Sequence, residues 1–157
     1  MTSDIRSAFF VSIVLLALAG TSQAETAGAP APASAEAVKQ QTDELLQTLK
    51  SYGAEQQDQA AAATKAALAD IDRQIADLQA RLDNNWDSMS QAARRQARAS
   101  MQALREQRTT TAEWYGELRA TSASAWDEVK EGFSKAYLGL AEAWDDSTRV
   151  IDAPQHQ

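Results

Sequence analysis

This 157-residue sequence predicts an all-α protein, an elongated coiled-coil-like antiparallel helical hairpin. Three observations carry that expectation. No proline occurs between Pro32 and Pro154, and the intervening chain is rich in Ala, Gln, Glu, Leu and Arg, all good helix formers. Its apolar residues recur by threes and fours, the period of one helix face. No segment shows a sustained alternation of β-branched and polar residues, so no strand is expected.

The elements follow in order. A first helix over about 35–52 carries the stripe Val38, Thr42, Leu45, Leu49 and Tyr52, with Gly53 as a left-handed cap residue. The Gln/Ala-rich stretch 55–67 has helical propensity but little to bury, and reads as a thin exposed helix or a soft hinge. Leu68, Ile71, Ile75, Leu78 and Leu82 then form a narrow seam that needs a partner helix.

The spacing changes at Trp86, Met89, Ala93, Ala97 and Met101, a stutter that locally unwinds a supercoil. Asp83-Asn84-Asn85 precedes it, and Ser88-x-x-Gln91 fits a capping box. A turn near 84–88 would give a three-helix bundle as the alternative. With no Gly or Pro to enforce a break, one helix from about Gln56 to Arg119 is preferred, roughly 96 Å long at 1.5 Å per residue.

A break near 120–123 is followed by Ser124-Ala125-Trp126-Asp127, which fits a capping box opening a last helix to about Ser147. That helix carries Trp126, Val129, Phe133, Tyr137, Leu140 and Trp144 on one stripe. Its four aromatic rings present roughly 600–1,000 Å², more than a soluble monomer leaves in water. The covering surface is expected to be the preceding helix. Arg94, Arg95, Arg98, Arg105 and Arg108 face only Glu106 there, whereas the last helix is acidic at Glu142, Asp145 and Asp146. An antiparallel return places Trp144 opposite Ala97–Arg98, Phe133 near Thr109 and Trp126 against Gly116, with the acids beside Arg94, Arg95 and Arg98. The small stripe Gly132, Ala136, Gly139 and Ala143 either relieves crowding inside the hairpin or forms a second contact surface.

Residues 1–24 read as a cleavable signal peptide: a short polar start, the apolar run Ala8–Ala19, and small residues before a cleavage point after Ala24. That run is too short for a spanning helix, which needs roughly 20 residues. An uncleaved inner-membrane anchor through residues 8–19 is the alternative to a periplasmic location. Residues 25–35 read as a disordered Ala/Pro spacer, 36–148 as the helical domain and 149–157 as a flexible tail.

Several function classes are set aside by composition. A net charge of -7 opposes nucleic-acid binding. There is no cysteine, and the single histidine, His156, is penultimate. No H-E-x-x-H, P-loop, G-x-S-x-G or EF-hand pattern is present. The pairs Trp86-Asp87, Trp126-Asp127 and Trp144-Asp145 read as core aromatics followed by solvated acids. No catalytic residue, cofactor site or metal site is therefore expected, and the chain reads as a non-enzymatic protein. Its uncovered Leu68–Leu82 seam needs the first helix or a second chain to cover it, and argues for a homo-oligomer, most simply a two-fold antiparallel dimer, or a helical protein partner. Membrane contact through an opened last helix is the alternative.

The stretch Leu104-Arg105, Arg108, Glu113-Trp114-Tyr115-Gly116-Glu117-Leu118 and Ser122-Ala123-Ser124-Ala125-Trp126-Asp127-Glu128-Val129-Lys130, followed by Gly132-Phe133, resembles a group of small bacterial coiled-coil proteins. That family, first noted in cyanobacteria, is generally labelled stress-response, and the likeness spans roughly residues 75–144. It implies a helical, non-enzymatic protein connected with stress, and no catalytic residues. The signal peptide, the spacer and the first helix depart from the family pattern.

Overall fold

A computed structural model describes residues 34–153. The signal peptide, the spacer up to residue 33 and the tail beyond residue 153 lie outside the described residues. Within them the chain is all-helical: α1 (Ala35–Ser51), α2 (Gln57–Asn85), α3 (Gln91–Ala120) and α4 (Trp126–Ile151), joined by short 3₁₀ turns.

Each helix runs antiparallel to the one before it, and α4 returns beside α1. Gln74 of α2 donates to Gln41 of α1 at 3.0 Å. Arg108 of α3 binds Asp72 of α2 through two hydrogen bonds, at 2.6 and 2.7 Å. The Thr111 hydroxyl donates to the Ala136 carbonyl of α4 at 3.2 Å. The Trp126 indole N–H closes the ring of helices by donating to the Tyr52 carbonyl at the end of α1, at 3.0 Å.

The long continuous helix is not what forms. The chain turns at residues 86–90, closer to the three-helix alternative, and α1 adds a fourth helix to the bundle. The physical reason is local. Asn85, Met89 and Ser90 all have negative φ (-89°, -81° and -62°), so this turn needs neither Gly nor Pro. The cap is Ser90 rather than Ser88: its hydroxyl accepts from the Ala93 amide at 3.2 Å. Arg94 reaches back to the Trp86 and Asp87 carbonyls, at 2.9 and 3.3 Å, satisfying acceptors left by the turn. Met89 is buried beneath it.

Other expectations are corrected in the same way. Gly53 is extended, with φ -82°, and not left-handed. Ser124 does not cap α4. Its hydroxyl lies 3.0 Å from that of Ser122, and α4 opens from a 3₁₀ turn at Ala123–Ala125 without a side-chain cap. The helical body extends to Ile151, which is 1% exposed, so α4 continues past Ser147. The Gln/Ala stretch is part of the core, because Ala60 and Thr64 are completely buried. Small side chains there let neighbouring helices approach, a use of Ala and Thr that an apolar-stripe reading passes over.

The seam of α2 is covered within the chain: Leu68, Ile71, Leu78 and Leu82 are buried, and Ile75 is partly buried against the same core. The argument for a second chain drawn from that seam therefore loses its basis. Gly116 is exposed, and a Cβ there would meet nothing within 4 Å. Trp126 does not approach it. Gly116→Ala is accordingly expected to raise stability by about 1 kcal/mol, the helix-propensity difference, read as a higher urea midpoint.

Candidate functional site

The residues singled out in the sequence separate into an inner set and an outer set. The inner set is the ring face of α4. Trp126, Phe133, Tyr137, Leu140 and Trp144 are all buried, between 0 and 5% exposed. They face the other three helices because their spacing by threes and fours keeps them on one side of α4. Phe133 and Tyr137 stack at a ring separation of 5.8 Å, tilted by 35°. Burial pushes the Tyr137 hydroxyl up to about 12; the Asp70 carboxylate adds to the rise and Arg108 opposes it.

The small residues of α4 face α3. A Cβ on Gly132 would overlap the Trp114 ring, and one on Gly139 would lie 3.1 Å from Gln107 Oε1. Between them, the Ala136 carbonyl accepts from Thr111. The stripe thus lets α3 lie close along α4, the first of the two roles weighed for it. The register differs from the expected one: Gly132 is level with Trp114 and Ala136 with Thr111, so Phe133 does not sit beside Thr109.

The expected acid–arginine pairs across α3 and α4 do not form. Asp145 and Asp146 pair with Arg149 of their own helix. Arg94 and Arg98 instead lie over the Trp86 ring, with guanidinium carbons 5.2 and 4.4 Å from its centroid. The reason is reach: partners one turn away on the same helix, and a half-exposed indole at the turn, are nearer than acids on the adjacent helix.

The outer set consists of two concavities. A cleft of about 680 Å³ opens between α2 and α3, with the buried Leu82 and Met101 beneath it and Trp86, Arg98, Gln79 and Arg105 along it. A groove of about 360 Å³ runs between α1 and α4 past Val38, Thr42, Leu138 and Ala141. Leu138 is 42% exposed, unlike the other large apolar side chains of the described residues. Sequence reasoning took Trp86 as one more core position and passed over Leu138. The signal for Trp86 was present, in an indole placed eight and twelve residues before two arginines of an incoming helix.

Among the described residues, no group of three or more His, Cys, Asp or Glu is placed to hold a metal ion. No helix among them is long and apolar enough to cross a membrane. The chain matches no known protein-family model, curated protein or solved structure.

Proposed function

We propose that this is an exported, non-enzymatic helical protein that acts by binding, with the stress-related role that its resemblance to the bacterial coiled-coil group implies. One observation supports this reading over its rival. The aromatic residues of α4, which a lipid-binding mode would have to present, are 0–5% exposed inside the bundle, while the arginine-flanked cleft and Leu138 lie outside. Opening α4 would expose three large rings and Trp144 at once, each worth about 1.5–3 kcal/mol when buried. Its polar face also carries Glu128, Glu131, Glu142 and Asp146, the wrong sign for anionic lipid.

The partner is a helical protein or a second copy of this chain, and contact uses the outer surface. Affinity capture from a periplasmic extract tests the role. The wild type is expected to retain a partner that Arg98→Glu or Leu138→Glu releases; identical recovery on all three proteins contradicts it. Adding vesicles of phosphatidylethanolamine and phosphatidylglycerol is expected to leave the tryptophan emission maximum unmoved and the protein in the supernatant. Co-sedimentation of most of the protein would favour the lipid-binding reading.

A further inference from the structure

We propose that the cleft between α2 and α3 binds a small dipolar ligand: an apolar α-amino acid or short apolar peptide whose amine and carboxylate are both free. This goes beyond the protein-binding role proposed above and shares only Arg98 with it.

The cleft has a cause in the sequence. Gly132, Ala136 and Gly139 carry so little bulk that α3 lies close along α4 and stands off from α2. Polar side chains span the wider gap: Arg105 donates to Gln79 Oε1 at 2.6 Å, and Arg108 binds Asp72. Between these bridges and the turn at Trp86 the helices leave about 680 Å³, within the roughly 300–1,000 Å³ of small-molecule sites. From Gln79 to Trp86 is about two helical turns, roughly 10 Å.

The charges along the cleft are not all satisfied. At the end away from the turn, Gln79 accepts from Arg105 and donates to Asp83 at 2.8 Å, so that group of three is internally paired. At the turn end the situation differs. Arg98 stacks on the Trp86 ring, 4.4 Å from its centroid, and among the described residues no carboxylate reaches it. Its guanidinium N–H groups make no hydrogen bond among the described residues and are free for a carboxylate. The Asp87 side chain likewise has no partner among the described residues; Arg94 bonds only to its backbone carbonyl. Arg94, the other guanidinium at this end, is held by the Trp86 and Asp87 backbone carbonyls, so Arg98 and Asp87 are the charged side chains there without a hydrogen-bond partner among the described residues. A simple anion would meet Asp87 and a simple cation would meet Arg98, whereas a ligand carrying both charges answers both. The part of the half-buried Trp86 indole that the two arginines leave uncovered supplies apolar surface for its side chain, with the buried Leu82 and Met101 as the floor.

The test follows the indole N–H resonances of the four tryptophans in the full-length protein by NMR. The Trp86 signal is assigned by its loss in Trp86→Phe. Leucine, Leu-Leu and N-acetyl-leucinamide are titrated separately. Leucine or Leu-Leu is expected to shift the Trp86 signal saturably, with Kd below about 1 mM, the affinity of a few charge-assisted contacts. The tighter of the two gives the ligand length. Binding is expected to weaken about tenfold or more in Arg98→Gln and in Asp87→Asn, the loss of one charged hydrogen bond, with unchanged circular dichroism. The doubly blocked amide is expected to leave the signal in place. Neither probe saturating by about 10 mM, well above that range, overturns the proposal, as does equal binding by Arg98→Gln. A silent titration alongside Arg98-dependent capture of a partner removes the ligand class and leaves the interaction role standing; the reverse pattern removes the partner and leaves the site.

Discussion

Trp144→Ala is expected to cost about 3–5 kcal/mol, the range for emptying a large aromatic from a closed core. The side chain is completely buried, with Phe133, Leu140, Leu104, Leu78 and Leu49 among the other fully enclosed residues of the same cluster. The bundle draws these residues from all four helices, so the cavity would lie where no single helix can shift to fill it. Small domains have total stabilities of about 5–15 kcal/mol, so the variant is expected to lose about a fifth or more of the stability of the wild type. The indole N–H of Trp144 has no hydrogen-bond partner among the described residues, whereas that of Trp126 donates to the Tyr52 carbonyl. The cost at position 144 is therefore packing alone. Equilibrium unfolding in urea, followed by circular dichroism at 222 nm, measures it. A loss below about 1 kcal/mol, the scale of a surface substitution, would show that the ring is not enclosed.

The second large effect is at Gly132. In an exposed helix interior Gly→Ala gains about 1 kcal/mol, and Gly116 illustrates that case. At Gly132 the added methyl would overlap the Trp114 ring, so the sign reverses and the variant is expected to lose about 1–3 kcal/mol as α3 is pushed from α4. A double-mutant cycle isolates the cause. In a Trp114→Ala background, Gly132→Ala is expected to be neutral or stabilising, because the obstruction has gone. Equal destabilisation in both backgrounds would mean that the glycine serves some purpose other than close approach.

The contrast between these two glycines shows what the sequence could and could not convey. Both sit mid-helix, and spacing alone offers no way to tell which one faces a neighbour. The close approach expected at Gly116 occurs at Gly132, because the register of α4 on α3 is set by Thr111 against Ala136 and by the seating of Trp114, not by the charges. The ring face of α4 was legible because six residues at strict helical spacing permit one buried side. The first helix was legible for the same reason, to within one residue at its end. The turn at residues 86–90 was not, since negative φ at Trp86, Met89 and Ser90 needs no special residue, and only Ser90 and its Ala93 partner mark it. Its neighbour Ser88 offered an equally good capping pattern. Ala60 and Thr64 were invisible as core because size, not hydrophobicity, admits them. Arginines 94 and 98 were assigned to acids that have nearer partners, and the half-exposed Trp86 took them instead.

Everything proposed for the cleft, and the burial of the α4 rings, depends on the reversal of the chain between α2 and α3. The chain has no native cysteine, so single spin labels can be placed by Arg73→Cys and Thr110→Cys, both at exposed positions. In the bundle these residues lie on neighbouring antiparallel helices at nearly the same level, beside the Arg108–Asp72 pair. Helix axes in contact are about 8–10 Å apart, so the pulsed electron resonance distance is expected near 20 Å once label length is added. A helix continuous through residues 86–90 would separate them by roughly 56 Å at 1.5 Å per residue. A single distribution at that longer distance contradicts the fold described here.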